Sequence, residues 1–433
     1  MKKLITSMLF SIVSFVAVFG QDGKFPVINA VAVSVSGMVP AKLQNIDGLL
    51  KLAIDSNWTN AAVGLVIRNG RIAYYKSFGY DDIELKKPMQ KDAIFRIASQ
   101  TKAITSVAVM MLFEEGKFLL DDPISKYIPS FKNPTVLDKS NEKDTSYTTV
   151  PAKREITIRD LLTHTSGIAY PQIGGGSIST IYHKNGIISG LGLEMKLLSD
   201  IITRLGSLPL LHQPGEKFTY GLNVDVLGYL VEVVSGMSLD DFLHRRIFAQ
   251  LGMKDTYFYV PREKQHRLVN VYLFDEDGKL EKAPGYFTAH GEKMMDYPKA
   301  KGTYFSGGAG LSSTILDYAI FLQMLLNDGT YNGKRLLSRN TVRMMTMNQI
   351  GNLSVGSGPY KFGLGFQVVP ENASGILPVR TGTFSWGGFF ATTYWVDPVE
   401  KIVGLLYKQL PEDAHEYELA DKFKVMVYSA IKD

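Results

Sequence analysis

The chain is 433 residues long, 45% apolar and 21% charged, with a net charge of +5. That length leaves room for two or three domains and a large core, and the composition is that of an ordinary globular protein. The charge is too small and too scattered for a nucleic-acid partner, and the absence of cysteine excludes disulfides, thiolate metal sites and a lipid-modified thiol.

The first stretch, MKKLITSMLFSIVSFVAVFGQDG, joins a basic pair to a short apolar run and then small residues, and so predicts a signal peptide over residues 1–20, cut before Gln21. Loss of Lys2 and Lys3 takes the net charge from +5 to +3. The mature protein is expected to be exported, periplasmic or extracellular, and free of the membrane, because no other stretch is apolar enough to span one. An uncleaved anchor is the rival reading, and the shortness of the run counts against it.

Residues 62–80, AVGLVIRNGRIAYYKSFGY, set two β-rich runs around Asn69-Gly70, the strongest short hairpin signal. A helical, mostly apolar stretch follows RIASQTKA at 96–103. Residues 132–153, rich in Lys, Asp, Ser and Thr, read as a surface loop. ITIRDLLTHTSGI (156–168) carries an amphipathic turn of helix, and a glycine-rich loop follows at 174–176. VDVLGYLVEVVSG (224–236), SLDDFLHRRIFAQLG (238–252) and SSTILDYAIFLQMLLNDG (312–329) predict helices. TTYWVDPVEKIVGLLYKQL (392–410) repeats the hairpin pattern around Asp397-Pro398, and ELADKFKVMVYSAIK predicts a closing helix. Strand pairs at both ends predict an α/β domain of residues 21–130 and 301–433, with one sheet built from both termini. Residues 131–300 are then a mostly helical inserted subdomain.

The seven histidines never fall within four residues of one another, so no metalloprotease spacing exists and no metal or cofactor is called for. No phosphate-binding G-x-x-x-x-G-K-[ST] and no G-x-S-x-G elbow occurs. What remains is Ser99-x-x-Lys102 at the mouth of an apolar helix. Positions three apart share a helix face, so hydroxyl and amine point the same way. Burial disfavours an ammonium, which turns a lysine into a usable base for a serine nucleophile. The same spacing recurs at Ser140–Lys143 and Ser429–Lys432, in a polar loop and at the C-terminus, where nothing desolvates either residue. A capping serine beside a lysine that reaches solvent is the bland alternative for Ser99 and Lys102.

Context beyond the tetrad carries a resemblance. FRIASQTKAITSVAVMMLFEEGKFLLDDPISKYIPSF (95–131), ITIRDLLTHTSGI, PGEKFTYGLNVDVLGYLVEVVSGMSLDDFLHRRIFAQLGM (214–253), GGAGLSSTILDYAIFLQMLLNDG (307–329) and WGGFFATTYWVDP (386–398) resemble, in order, the β-lactamase-like serine hydrolases. These include class C β-lactamases, family VIII carboxylesterases and penicillin-binding D-amino peptidases. The resemblance implies a β-lactamase/transpeptidase-like fold, an antiparallel sheet flanked by helices, and a covalent acyl-enzyme on Ser99.

By the same resemblance Lys102 is the base and Tyr220, in FTYGLN, the proton shuttle. The family's asparagine two places after that tyrosine is Leu222 here, with Asn223 one place late, which counts against β-lactam recognition. The third motif falls on Trp386-Gly387-Gly388, with Arg380-Thr381-Gly382 as rival. The backbone N–H groups of Ser99 and Phe389 would form the oxyanion hole, and Trp386, Gly387, Gly388, Leu222 and Tyr170 would meet substrate. His164 is read as a structural residue. The expected partner is a small ester, amide or β-lactam. A carboxylesterase is favoured; a β-lactamase or D-amino-acid-specific peptidase, and a non-catalytic penicillin-binding sensor, are the alternatives.

Overall fold

Asn69 and Gly70 turn the chain with φ of 53° and 71°, the pair of positive angles that a tight hairpin matched to strand twist requires. The turn joins β2 (Ala61–Arg68) to β3 (Arg71–Asp82), and β1 (Asn29–Ala30) lies parallel to β3 at its outer edge. At the other end of the chain, β4 (Lys361–Phe362), β5 (Gln367–Val368), β6 (Phe384–Gly388), β7 (Thr392–Asp397) and β8 (Ile402–Tyr407) run antiparallel in succession. β2 pairs with β8 from Val63–Tyr407 to Arg68–Ile402. The sheet order is therefore β1-β3-β2-β8-β7-β6-β5-β4, with Lys87–Pro88 as a further short strand on β3. The two ends of the chain meet in its centre. The computed structural model describes residues 26–432, apart from 31–32, 142–145, 172–175, 192–195, 285–287, 290–291, 294–296, 374 and 412. The expected signal peptide and most of the expected glycine-rich loop lie outside the described residues.

β2 and β8 are buried along nearly their whole length, so both read as continuous apolar runs. Their side chains divide by alternation. Val63, Leu65, Ile67, Val403, Leu405 and Tyr407 enter the larger core, and Ala62, Val66, Ile402 and Leu406 the smaller. The smaller core lies under α1 (Pro40–Asp55) and the closing helix Glu416–Ser429, through Leu43, Ile46 and Leu50 on one and Leu419, Phe423 and Val427 on the other. The larger core takes α2 (Thr101–Glu114), α3 (Asn223–Ser235) and α4 (Ile315–Leu326). Each aliphatic side chain sealed in this way contributes about 1.5–3 kcal/mol. Among the described residues no helix is long and apolar enough to cross a membrane.

Two expectations need correction. The polar segment 132–153 is not plain loop but an antiparallel hairpin, Thr135–Ser140 against Tyr147–Pro151. Its second strand is exposed throughout, so no apolar alternation marks it. The helix expected from 312 starts at Ile315, because Ser312–Thr314 is a strand between Ile94–Arg96 and Thr256–Tyr257. That small sheet fixes the approach to Ser99, with Ile97 N–H donating to the Leu311 carbonyl at 3.1 Å.

Ala98 then adopts φ of 40°, an unfavourable region for a residue with a Cβ. The strain is held by Gln100, whose carbonyl accepts from Tyr318 Oη at 2.9 Å and whose Oε1 accepts from Tyr407 Oη at 2.6 Å. Gln100 is fully buried. Tyr407→Phe leaves Oε1 without its donor and is expected to cost about 1–3 kcal/mol in a urea denaturation series. An unchanged midpoint would show that the turn does not depend on this bond.

Candidate active site

Ser99 sits in the single 3-10 turn Ala98–Gln100 and Lys102 in the first turn of α2. The turn leaves Ser99 partly exposed, while Lys102 is 2% exposed. Lys102 Nζ donates to Ser99 Oγ at 3.2 Å, to Tyr170 Oη at 2.8 Å and to the Gly308 carbonyl at 2.8 Å. Three acceptors match the three protons of an ammonium. The ring centroids of Tyr220 and Tyr170 lie 4.6 and 5.3 Å from the same nitrogen, so π faces add to its solvation.

Tyr170 and Tyr220 face each other because two loops are bonded together. Thr157 and Asp160 form a capping box that starts the helix Ile158–Leu162. The loop after it bonds the approach to α3: Thr219 N–H donates to the His164 carbonyl at 2.7 Å, and Leu222 N–H to the Ala169 carbonyl at 3.4 Å. Asn223 is fully buried; its Nδ2 lies 2.9 Å from His164 Nδ1, and its Oδ1 accepts from Ser166 Oγ. Asn223 therefore serves the loop rather than the space beside Lys102. Leu222 is 1% exposed, inside the main core. His164 is fully buried, and burial, aided by the charge of Lys102, pushes its pKa well below the usual imidazole value. It stays neutral behind Tyr220, ring centroids 4.9 Å apart.

Trp386-Gly387-Gly388 form the end of β6 itself. Trp386 Nε1 donates to Tyr220 Oη at 3.3 Å, and its ring packs 5.4 Å from those of Tyr220 and Phe362. A Cβ on Gly388 would lie 2.3 Å from the Ile97 carbonyl oxygen, so only glycine lets this strand approach the turn bearing Ser99. Phe389 follows, with its side chain 36% exposed. Arg380, the rival, pairs with Glu400 at 2.9 Å at the far end of the β7–β8 hairpin, among groups unrelated to Lys102. Among the described residues Tyr220 bonds to Trp386 and not to Ser99. Tyr170, expected only as a wall, is the phenol on the lysine.

The family model for the beta-lactamases matches residues 46–425. The chain belongs to the beta-lactamase family. Protein Rv1367c of Mycobacterium tuberculosis is 36% identical over 382 residues, covering 84% of this chain and 89% of its own length. Esterase EstB of Burkholderia gladioli is 30% identical over 380 residues, covering 86% and 90%. Among solved structures, EstCE1, described as a hydrolase with promiscuous acyltransferase activity, superposes with a TM-score of 0.76 at 27% identity, over 91% of this chain and 99% of that one. The fold is the β-lactamase/transpeptidase-like one, and the family's members are serine hydrolases that include esterases.

Within this family fold, Asp225 is a site residue that the motifs of the sequence do not mark. It is fully buried in α3, and its Oδ1 accepts from Ser306 Oγ at 2.6 Å and from Gly308 N–H at 3.3 Å. It thereby aims the Gly308 carbonyl at Lys102. Burial raises its pKa, against the opposing pull of Ser306 and Lys102. The one signal in the sequence is an acid inside the otherwise uncharged VDVLGYLV at 224–231. Tyr170→Phe takes a buried acceptor from Lys102 and is expected to lower stability by about 1–3 kcal/mol. Tyr220→Phe should cost under about 1 kcal/mol, since the residue is only partly buried and its hydroxyl keeps one long bond, from Trp386 at 3.3 Å. Chemical denaturation of the two variants checks the order, and a larger loss at Tyr220 would contradict it.

Proposed function

We propose that this protein is an exported serine esterase working through a covalent acyl-enzyme. The observation that carries the reading is the 3.2 Å contact between a partly exposed Ser99 Oγ and an almost fully buried Lys102, under the Trp386-Gly387-Gly388 strand end. In the first step Lys102 Nζ acts from the form that has released one of its three protons to solvent, and takes the hydroxyl proton while Ser99 Oγ attacks the ester carbonyl carbon. The N–H groups of Ser99 and Phe389 receive the developing oxyanion. Tyr220, with Trp386 on its oxygen, hands its proton to the leaving alcohol as the C–O bond to that alcohol breaks, and recovers one from Lys102, which returns to the form that can accept the next proton. Water then attacks the acyl-serine along the same proton path and frees the acid.

The names of EstB, an esterase, and EstCE1, a hydrolase, support the ester reading. So does the geometry around Leu222 and Asn223: neither offers an amide to hold the side chain of a β-lactam. The leader-like residues 1–20 support export. A small ester with an apolar portion suits a wall made of Trp386, Tyr220 and Phe389.

Labelling with a fluorophosphonate tests the nucleophile, and release of p-nitrophenol from short esters tests turnover. Wild type should label and turn over; Ser99→Ala should do neither, and Lys102→Ala should fall at least about a thousandfold in kcat. Turnover retained in Ser99→Ala would overturn the mechanism.

A further inference from the structure

β6 is paired on both sides only at its start. Phe384 and Ser385 meet Val368 and Gln367 of β5, whereas Trp386, Gly387 and Gly388 are paired only with Tyr394, Thr393 and Thr392 of β7. The other side of 386–388 is a strand edge beside the turn that bears Ser99, so on the esterase reading a substrate that acylates Ser99 would lie along it. Alternation puts Trp386 on one face of that edge, with Tyr220 and Phe362. On the opposite face position 387 has no side chain, and the first residue of the closing helix comes up to it: Glu416 Oε1 lies 3.8 Å from where a Cβ on Gly387 would be. Nothing at 387 shields the edge from this carboxylate.

The charges around Glu416 do not cancel it. Lys408, just after β8, is bonded to Asp413, and both side chains are buried. This pair is neutral as a unit, so Glu416 is left as the uncompensated charge. His415 stacks on Trp58 and reaches Glu418, which Lys422 holds in turn, and Tyr417 on the same helix is exposed. From the sheet, Ser385, Gly387 and Thr393 bring no ionisable group. Burial raises the Glu416 pKa to about 7, Lys408 opposing and Asp413 adding to the rise.

We propose that Glu416 sorts substrates by charge, so that the site accepts neutral esters and refuses those with a carboxylate lying along the 386–388 edge. This deepens, and rests on, the esterase reading: it fixes the substrate class as uncharged near the scissile bond. Like charges brought together at a half-buried site raise the cost of binding, and a repulsive element of this kind gives selectivity without any added attraction.

Two matched pairs of esters test it: 4-nitrophenyl butyrate against mono-4-nitrophenyl succinate, and phenyl butyrate against 3-carboxyphenyl butyrate. In wild type at pH 8.5 at least one pair should show the carboxylate member disfavoured tenfold or more in kcat/KM, mainly through KM. Lowering the pH to 6 protonates Glu416 and should shrink that ratio, with a midpoint near 7. Glu416→Gln, close in size, should reduce the ratio at least fivefold and leave it flat with pH. The wild-type pH series needs no variant, so a misfolded Glu416→Gln would not block the test. Ratios that do not move with pH or with Glu416→Gln overturn the proposal. Absence of turnover on both neutral esters is a different result: it overturns the esterase reading itself.

Discussion

Lys102 is an amine carried almost completely out of water, and the rest of the site follows from satisfying it. An ammonium without partners in such a place costs several kcal/mol. Here every proton has an acceptor, and the acceptors come from three parts of the chain: Ser99 on the preceding turn, Tyr170 on the loop after the helix Ile158–Leu162, and Gly308 ahead of α4. None of these is placed by chance. Gly308 is aimed by Asp225, Tyr170 by the bonds between the 164–170 loop and residues 219–223, and Ser99 by the strained Ala98 and the clamp on Gln100. The energetic debt of one buried charge thus sets the arrangement of several loops.

The sheet topology supplies the other half. Pairing β2 with β8 brings the two ends of the chain together, and the successive antiparallel strands from β8 back to β6 carry the Trp386-Gly387-Gly388 edge to the turn after Ile97. The close approach of Gly388 to the Ile97 carbonyl shows how little space separates them. The edge at 386–388 thus runs beside the turn that bears Ser99, with the aromatic rings of Trp386 and Tyr220 on one face of β6 and Glu416 on the other.

Much of this was legible in the chain. Asn69-Gly70 announced its hairpin because a two-residue turn demands particular backbone angles that few residues accept. The helix at 224–236 and the apolar helix after Ser99 were readable from periodicity and composition, and they form as α3 and α2. The hairpin 135–151 was hidden because a strand exposed on both faces has no apolar alternation to betray it. Asp225 and the true neighbour of Lys102 were hidden for another reason. Which phenol bonds the amine depends on loop-to-loop hydrogen bonds among His164, Ser166 and Asn223, which no local pattern encodes. The positive φ of Ala98 is equally silent in sequence, since alanine is an ordinary helix former.

The Gln100 clamp has a bearing on how the protein is made. Ser99 and Lys102 emerge early in synthesis, yet Gly308, Tyr318, Trp386 and Tyr407, which hold or complete their surroundings, all emerge in the last third. A nascent chain consequently carries Ser99 and Lys102 without these partners, and the surroundings described above are complete only when the C-terminal strands close onto the first hairpin. The closure of the sheet is therefore also the last step in building the surroundings of Lys102.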